Sequence, residues 1–92
     1  MTREEIKEVL EDFAKTHEGY AEDDSFRFGD TVVHFQRTCL SISTLGFYGV
    51  SAFFEYAHIS RMRVNEDTLF ISTWLSGSTF ATITAKAREE QD

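Results

Sequence analysis

Proline is absent from this chain, cysteine occurs once, and no stretch approaches the ~20 apolar residues of a membrane-spanning helix. A lone Cys39 excludes an intrachain disulfide, and nothing calls for an oxidising compartment. Met1–Glu5 lacks the basic and then apolar run of a signal peptide, so a cytoplasmic location is expected. Basic side chains are scarce: 9 Lys and Arg stand against 16 Asp and Glu, for a net charge of −7. Binding to phosphate backbones or to anionic lipid draws on Lys and Arg, so neither nucleic acid nor a membrane is an expected partner. An acidic surface instead steers a protein toward basic patches on other proteins.

Signatures of catalysis are also missing. There is no Gly-x-Ser-x-Gly nucleophile elbow. Gly46-Phe47-Tyr48-Gly49 has the bare Gly-x-x-Gly form, but bulky aromatics and no adjacent base make it unsuited to cradling phosphate. His17, His34 and His58 are 17 and 24 residues apart, without the local pairing of zinc sites. Cys39 with His34 or His58 is the one conceivable nucleophile–base pair. Nothing marks an electropositive setting for it, and a buried small hydrophobe is the ordinary fate of a lone cysteine. Glu22, Asp23 and Asp24 are adjacent acids in a polar stretch, not two carboxylates in unlike environments nor the spaced oxygen loop of a calcium site. The expectation is a non-enzymatic protein without cofactor or metal.

What the chain has in quantity is aromatic side chains: nine Phe, three Tyr and one Trp. Each fully buried Phe contributes roughly 1.5–3 kcal/mol, enough to give one small domain over residues 1–92 a dense core. Charge is unevenly spread. Residues 1–30 hold 10 of the 16 acids and 4 bases, whereas residues 31–64 hold one acid, Glu55, beside Arg37, Arg61 and Arg63.

The acidic third opens with a helix. Thr2 and Glu5 form a Thr-x-x-Glu capping box, and Ile6, Val9, Leu10, Phe13, Ala14 and His17 fall on one arc. Glu4, Glu8, Glu11, Asp12 and Lys15 occupy the opposite arc. Gly19 fits a left-handed stop, so the helix is expected over about 3–18, followed by a linker over 20–24. Phe26 and Phe28 then alternate with polar residues, and Gly29-Asp30 suits a type II′ hairpin turn pairing Phe28 with Thr31 and Phe26 with Val33. The alternation slips near Thr38-Cys39, which suggests a bulge. Residues 47–57 fit strand or helical spacing alike. Asn65-Glu66-Asp67 reads as a turn, and Gly77-Ser78 as the turn of a last hairpin in which Leu75 pairs with Phe80. Residues 86–92 read as a frayed tail.

The fold class is therefore α+β: an N-terminal helix on a four- to six-stranded antiparallel meander. In the last hairpin that register leaves both sheet faces apolar, with Phe70, Trp74 and Ile83 sharing one of them, and a single helix cannot cover both. Curling of the sheet or a partner, a homodimer included, would cover the second. Phe47, Tyr48, Phe53, Phe54 and Tyr56 with Arg61 and Arg63 invite comparison with a base-stacking platform, although core packing explains the same aromatics.

Two functional readings follow. The first is an acidic interaction module whose Glu4, Glu8, Glu11 and Asp12, extended by Glu22, Asp23 and Asp24, engage a basic surface on a protein partner. An inhibitor of a nucleic-acid-binding enzyme, of the kind small mobile-element genes encode, would use such a surface as a phosphate-backbone mimic. The alternative is a small structural or chaperone-like homodimer that binds through its apolar sheet face, with Phe70, Trp74 and Ile83 at the contact.

Overall fold

The computed structural model describes residues 1–44, 51–74 and 79–88. Helix α1, Arg3–Thr16, starts at the expected capping box: Glu5 N–H donates to Thr2 Oγ1 at 3.1 Å and Thr2 N–H to Glu5 Oε1 at 2.9 Å. The Thr2 backbone N–H first, and then the Thr2 hydroxyl, hold the Glu5 carboxyl below its ordinary range. Their contribution is present at neutral pH and is lost as pH falls through the lowered value. The helix ends at Thr16 rather than near residue 18, because His17 already adopts an extended backbone, φ −128° and ψ 159°. Gly19 is not a left-handed stop. A Cβ there would run into the Phe28 ring, so glycine is needed for close approach.

The eight strands among the described residues are antiparallel to their neighbours. Strands β1 (Tyr20–Glu22), β2 (Ser25–Phe28), β3 (Thr31–Phe35), β4 (Cys39–Thr44) and β5 (Ser51–Glu55) form one sheet in chain order. A 3₁₀ turn at Tyr56–His58 breaks the meander, and β6 (Ile59–Asn65), β7 (Thr68–Thr73) and β8 (Thr79–Thr84) form a second sheet. The stretch 20–24, expected as a linker, is thus an edge strand and its turn. The ambiguous stretch after Gly49 is strand from Ser51 and 3₁₀ from Tyr56. No helix among the described residues is long and apolar enough to cross a membrane.

The hairpin at Gly29-Asp30 has the expected register, Phe28 opposite Thr31 and Phe26 opposite Val33. Phe26, Phe28, Val33 and Phe35 are buried together, and Arg27 and His34 face solvent. At residues 38–39 there is no bulge: Gln36 N–H donates to Cys39 O at 2.9 Å across a two-residue turn, and chain reversal resets the parity that brings Leu40 and Ile42 inward.

The last hairpin departs from its expected register. Leu69 lies opposite Ile83 and Ile71 opposite Ala81. A shift by an odd number of residues exchanges one strand's faces. Leu69, Ile71, Thr73 and Ile83 therefore share a buried face, and Phe70, Ser72, Thr82 and Thr84 share the outer one. The second sheet has one apolar face, not two. Residues 75–78, where the predicted turn falls, lie outside the described residues.

Helix α1 buries Ile6, Leu10 and Phe13 in the common core of both sheets, with the Phe13 and Phe28 ring centroids 5.2 Å apart. The chain after β8 is pinned rather than frayed through Arg88. Glu18 N–H donates to Lys86 O at 2.7 Å and Arg88 N–H to Thr16 O at 3.0 Å, because the extended backbone at His17 offers a bridge to Ala87.

Strain is localised in two turns. Asp23 and Glu66 each have positive φ, 50° and 57°, as Gly29 does at 60°, at the first central position of two-residue hairpins. Positive φ at the first position alone marks type II′ turns, which favour glycine there. A left-handed L-residue costs about 1–2 kcal/mol, less for Asp than for Glu. Glu66→Gly is therefore expected to raise stability by about 0.5–1 kcal/mol after the added unfolded-state entropy is subtracted, and Asp23→Gly by less. Chemical denaturation midpoints check the order.

Tyr56 supplies a second prediction. Its hydroxyl donates to Gln36 O at 2.5 Å, and partial burial pushes the phenol above its usual range against the opposing pull of Arg3. A raised folded value means that this stability is complete below the unfolded value of ~10 and is lost as pH climbs through the folded one. Tyr56→Phe should cost about 0.5–1.5 kcal/mol at neutral pH and abolish that alkaline loss, as read from thermal unfolding across pH.

Candidate acidic interaction face

The face begins with the phase of α1. Burial of Ile6, Leu10 and Phe13 turns the arc Glu4, Glu8, Glu11 and Asp12 outward, and all four acids are exposed. Side chains three and four apart on a helix have Cβ atoms about 5–6 Å apart, so these carboxylates form one row. Asp12 Oδ1 lies 3.8 Å from Lys15 Nζ, with both side chains largely in water, so the pairing contributes only a few tenths of a kcal/mol. Glu4, Glu8 and Glu11 make no ion pair among the described residues.

The β1–β2 turn docks against the start of this row. Arg3 Nη2 reaches Asp24 Oδ1 at 3.1 Å while its guanidinium lies 5.4 Å from the centroid of the Phe35 ring. The stacking and the ion pair hold Asp24 beside the first helical turn. Asp24 is thus partly neutralised, whereas Asp23, next to it, is exposed without an ion pair among the described residues. Glu22 goes elsewhere. It pairs with Ser25, and strand alternation puts it with Tyr20 and Arg27 on the solvent side of the sheet, away from α1, where these residues line a shallow depression of about 160 Å³. Of the seven acids, the fold sets the four on the helix in one row and holds Asp24 beside its start, whereas Glu22 lies on the solvent side of the first sheet.

The helix row ends in positive charge. A groove of about 480 Å³ separates α1 from β1, with Glu11, Ala14 and Lys15 on one wall and Ala21 and Arg88 among the residues opposite. The Arg88 side chain straps the helix end, its Nε donating to Ala14 O at 3.0 Å and its Nη2 to Gly19 O. A cation on the last carbonyls suits the negative pole of the helix. Nothing in the sequence marks Arg3 or Arg88 for these roles, since each contact spans most of the fold or a strand pair and has no local spacing signal.

The three histidines lie apart. His17 is buried and stacked on Phe13 at 4.2 Å between centroids. Its Nε2 donates to Glu66 O at 2.9 Å, and Nδ1 lies 2.8 Å from the Thr16 hydroxyl. It thereby ties the end of α1 to the strained β6–β7 turn. His34 is exposed on the first sheet, and His58 lies 3.5 Å from Glu55 in the 3₁₀ turn. Cys39 Sγ is 3.5 Å from Gln36 Oε1. Among the described residues no group of three or more His, Cys, Asp or Glu converges as a metal site.

The apolar contact residues are also dispersed. Ile83 is 1% exposed within the core, Phe70 lies on the opposite face under the Arg63 guanidinium at 5.5 Å, and Trp74 just past β7 is 71% exposed. Ile83 therefore does not share a face with Phe70. Of the aromatics considered for stacking, Phe54 and Tyr56 are core, Phe53 is 64% exposed, and Phe47 and Tyr48 lie outside the described residues. Arg61 and Arg63 belong to the other sheet. Comparison with protein-family models finds no matching family, and comparison with curated proteins and with solved structures finds no match to this chain.

Proposed function

We propose that this protein is a non-enzymatic, cytoplasmic interaction module that presents the outer arc of α1 to a basic surface on a partner protein. The observation that carries the reading is the unpaired row Glu4, Glu8 and Glu11 on a helix capped at its first turn and strapped at its last. The helix backbone that spaces these carboxylates is ordered before binding, so only their side-chain rotamers are fixed when they meet arginines and lysines. Asp23, exposed in the turn next to Asp24, would lengthen the row, and Asp24 contributes less because Arg3 already meets it. A partner whose basic surface ordinarily holds nucleic acid would find in this row an alternative to phosphates. Inhibition by occlusion, as in small mobile-element inhibitors, is the mode that follows.

Electrostatic capture weakens with salt. The chain immobilised on beads should retain a basic, nucleic-acid-binding protein from host lysate at low salt and release it on addition of duplex DNA. Glu8→Lys with Glu11→Lys should lower retention at least tenfold while leaving the circular dichroism spectrum unchanged, because both side chains point into water. Retention that neither salt, DNA nor the double substitution alters would overturn the reading.

A further inference from the structure

Strand β5 ends the first sheet, and backbone parity shows which of its groups are unused. The Gln36–Cys39 hydrogen bond closes the β3–β4 hairpin. Alternation from that pair turns Leu40 and Ile42 toward β5, opposite Phe54 and Ala52. Tyr56 N–H, two residues beyond Phe54, donates to Thr38 O at 3.3 Å, in the same phase. Ala52 and Phe54 therefore bond back to β4, and the N–H and C=O groups of Ser51, Phe53 and Glu55 point to the open side. No other strand among the described residues pairs with this edge.

Natural edges are blunted by brevity, bulges, lysine or proline. Strand β1 has three residues and lies beside α1, and β6 carries two arginines and an irregularity between Ile59 and Arg61. Strand β5 has one charge, Glu55, at its end and none of the other devices: Ser51-Ala52-Phe53-Phe54-Glu55 pairs in unbroken register and exposes Phe53.

We infer that the β5 edge is a seam for a second copy of this chain. The strand is self-complementary about Phe53. An antiparallel pair on a two-fold axis through that residue sets Phe53 against Phe53 and Ser51 against Glu55 of the second copy, so the one charge in the strand meets a hydroxyl instead of its like. All three outward-pointing residues then exchange backbone hydrogen bonds, and the two five-stranded sheets become one. The register that buries Phe54 is what delivers Phe53 and its backbone to the edge together. A single short strand makes a weak, concentration-dependent dimer. With −7 on each copy, salt strengthens the association by screening, the reverse of its effect on the acidic face.

Sedimentation velocity on the full chain up to about 1 mM, the concentration at which weak pairs of this kind are half-formed, should show a dimer that salt strengthens. In parallel, amide hydrogen exchange should show protection at Ser51, Phe53 and Glu55 that rises with protein concentration. Phe53→Lys sets two like charges on the axis and should weaken the dimer by about tenfold or more. Trp74→Lys, at a side chain still more exposed, should leave it unchanged. Ser51→Pro removes an edge N–H that no β4 carbonyl receives, and should act as Phe53→Lys does if the lysine variant fails to fold. A chain that stays monomeric throughout, a dimer indifferent to both β5 substitutions, or protection at the β8 edge in place of β5 would overturn the inference.

Discussion

Burial of the apolar arc of α1 is the constraint on which the rest depends. Ile6, Leu10 and Phe13 lie in one core with the inner faces of two sheets that share no strand pairing among the described residues. Truncating one buried Phe leaves a cavity worth about 3–5 kcal/mol, a large share of the stability of a domain this small. The same docking fixes the helix in rotation, and rotation decides which side chains meet water. The acidic row exists as a surface because Phe13 and Leu10 cannot turn outward.

The ends of the helix are secured by groups distant in sequence. At its start Arg3 joins Asp24 and the Phe35 ring, and at its close His17 reaches Glu66 while Arg88 covers the last carbonyls. The Arg3–Asp24 ion pair is partly exposed and weak. The buried His17 contact and the backbone bridge to residues 86–88 are better sheltered, and they help to hold Glu66 in its strained turn. Strain of this kind persists only where neighbours over-determine it.

Legibility in the sequence followed locality. The capping box, the helical arc and the Gly29-Asp30 hairpin rest on residues within a few positions of one another, and each takes its expected form. Gly19 misled because glycine serves two purposes, and the ring of Phe28 that demands it lies nine residues on, across the fold. Strand β1 was hidden because Tyr20, Ala21 and Glu22 are all exposed and show no alternation. The parity slip at Thr38-Cys39 carried a real signal with two physical causes, bulge or turn, and only pairing separates them. The last hairpin shows the sharpest sensitivity: an odd shift in register converts a sheet with two apolar faces into one with a threonine-lined outer side, and separates Ile83 from Phe70. For the candidate site, the helical row could be read from spacing, but the neutralising contacts of Asp24 and the departure of Glu22 could not, since both depend on where β1 packs.

The position of the acids, as distinct from their number, is the central claim. It is tested most directly by a charge-neutral exchange, Glu8→Lys with Arg61→Glu, which keeps the net charge at −7 and moves negative charge from the helix row to the outer face of the second sheet. Affinity of this variant for the captured basic partner, measured by titration calorimetry at fixed salt, should fall as far as for Glu8→Lys alone. Affinity equal to that of the unaltered chain would show that bulk charge suffices, and would contradict a recognition surface on α1.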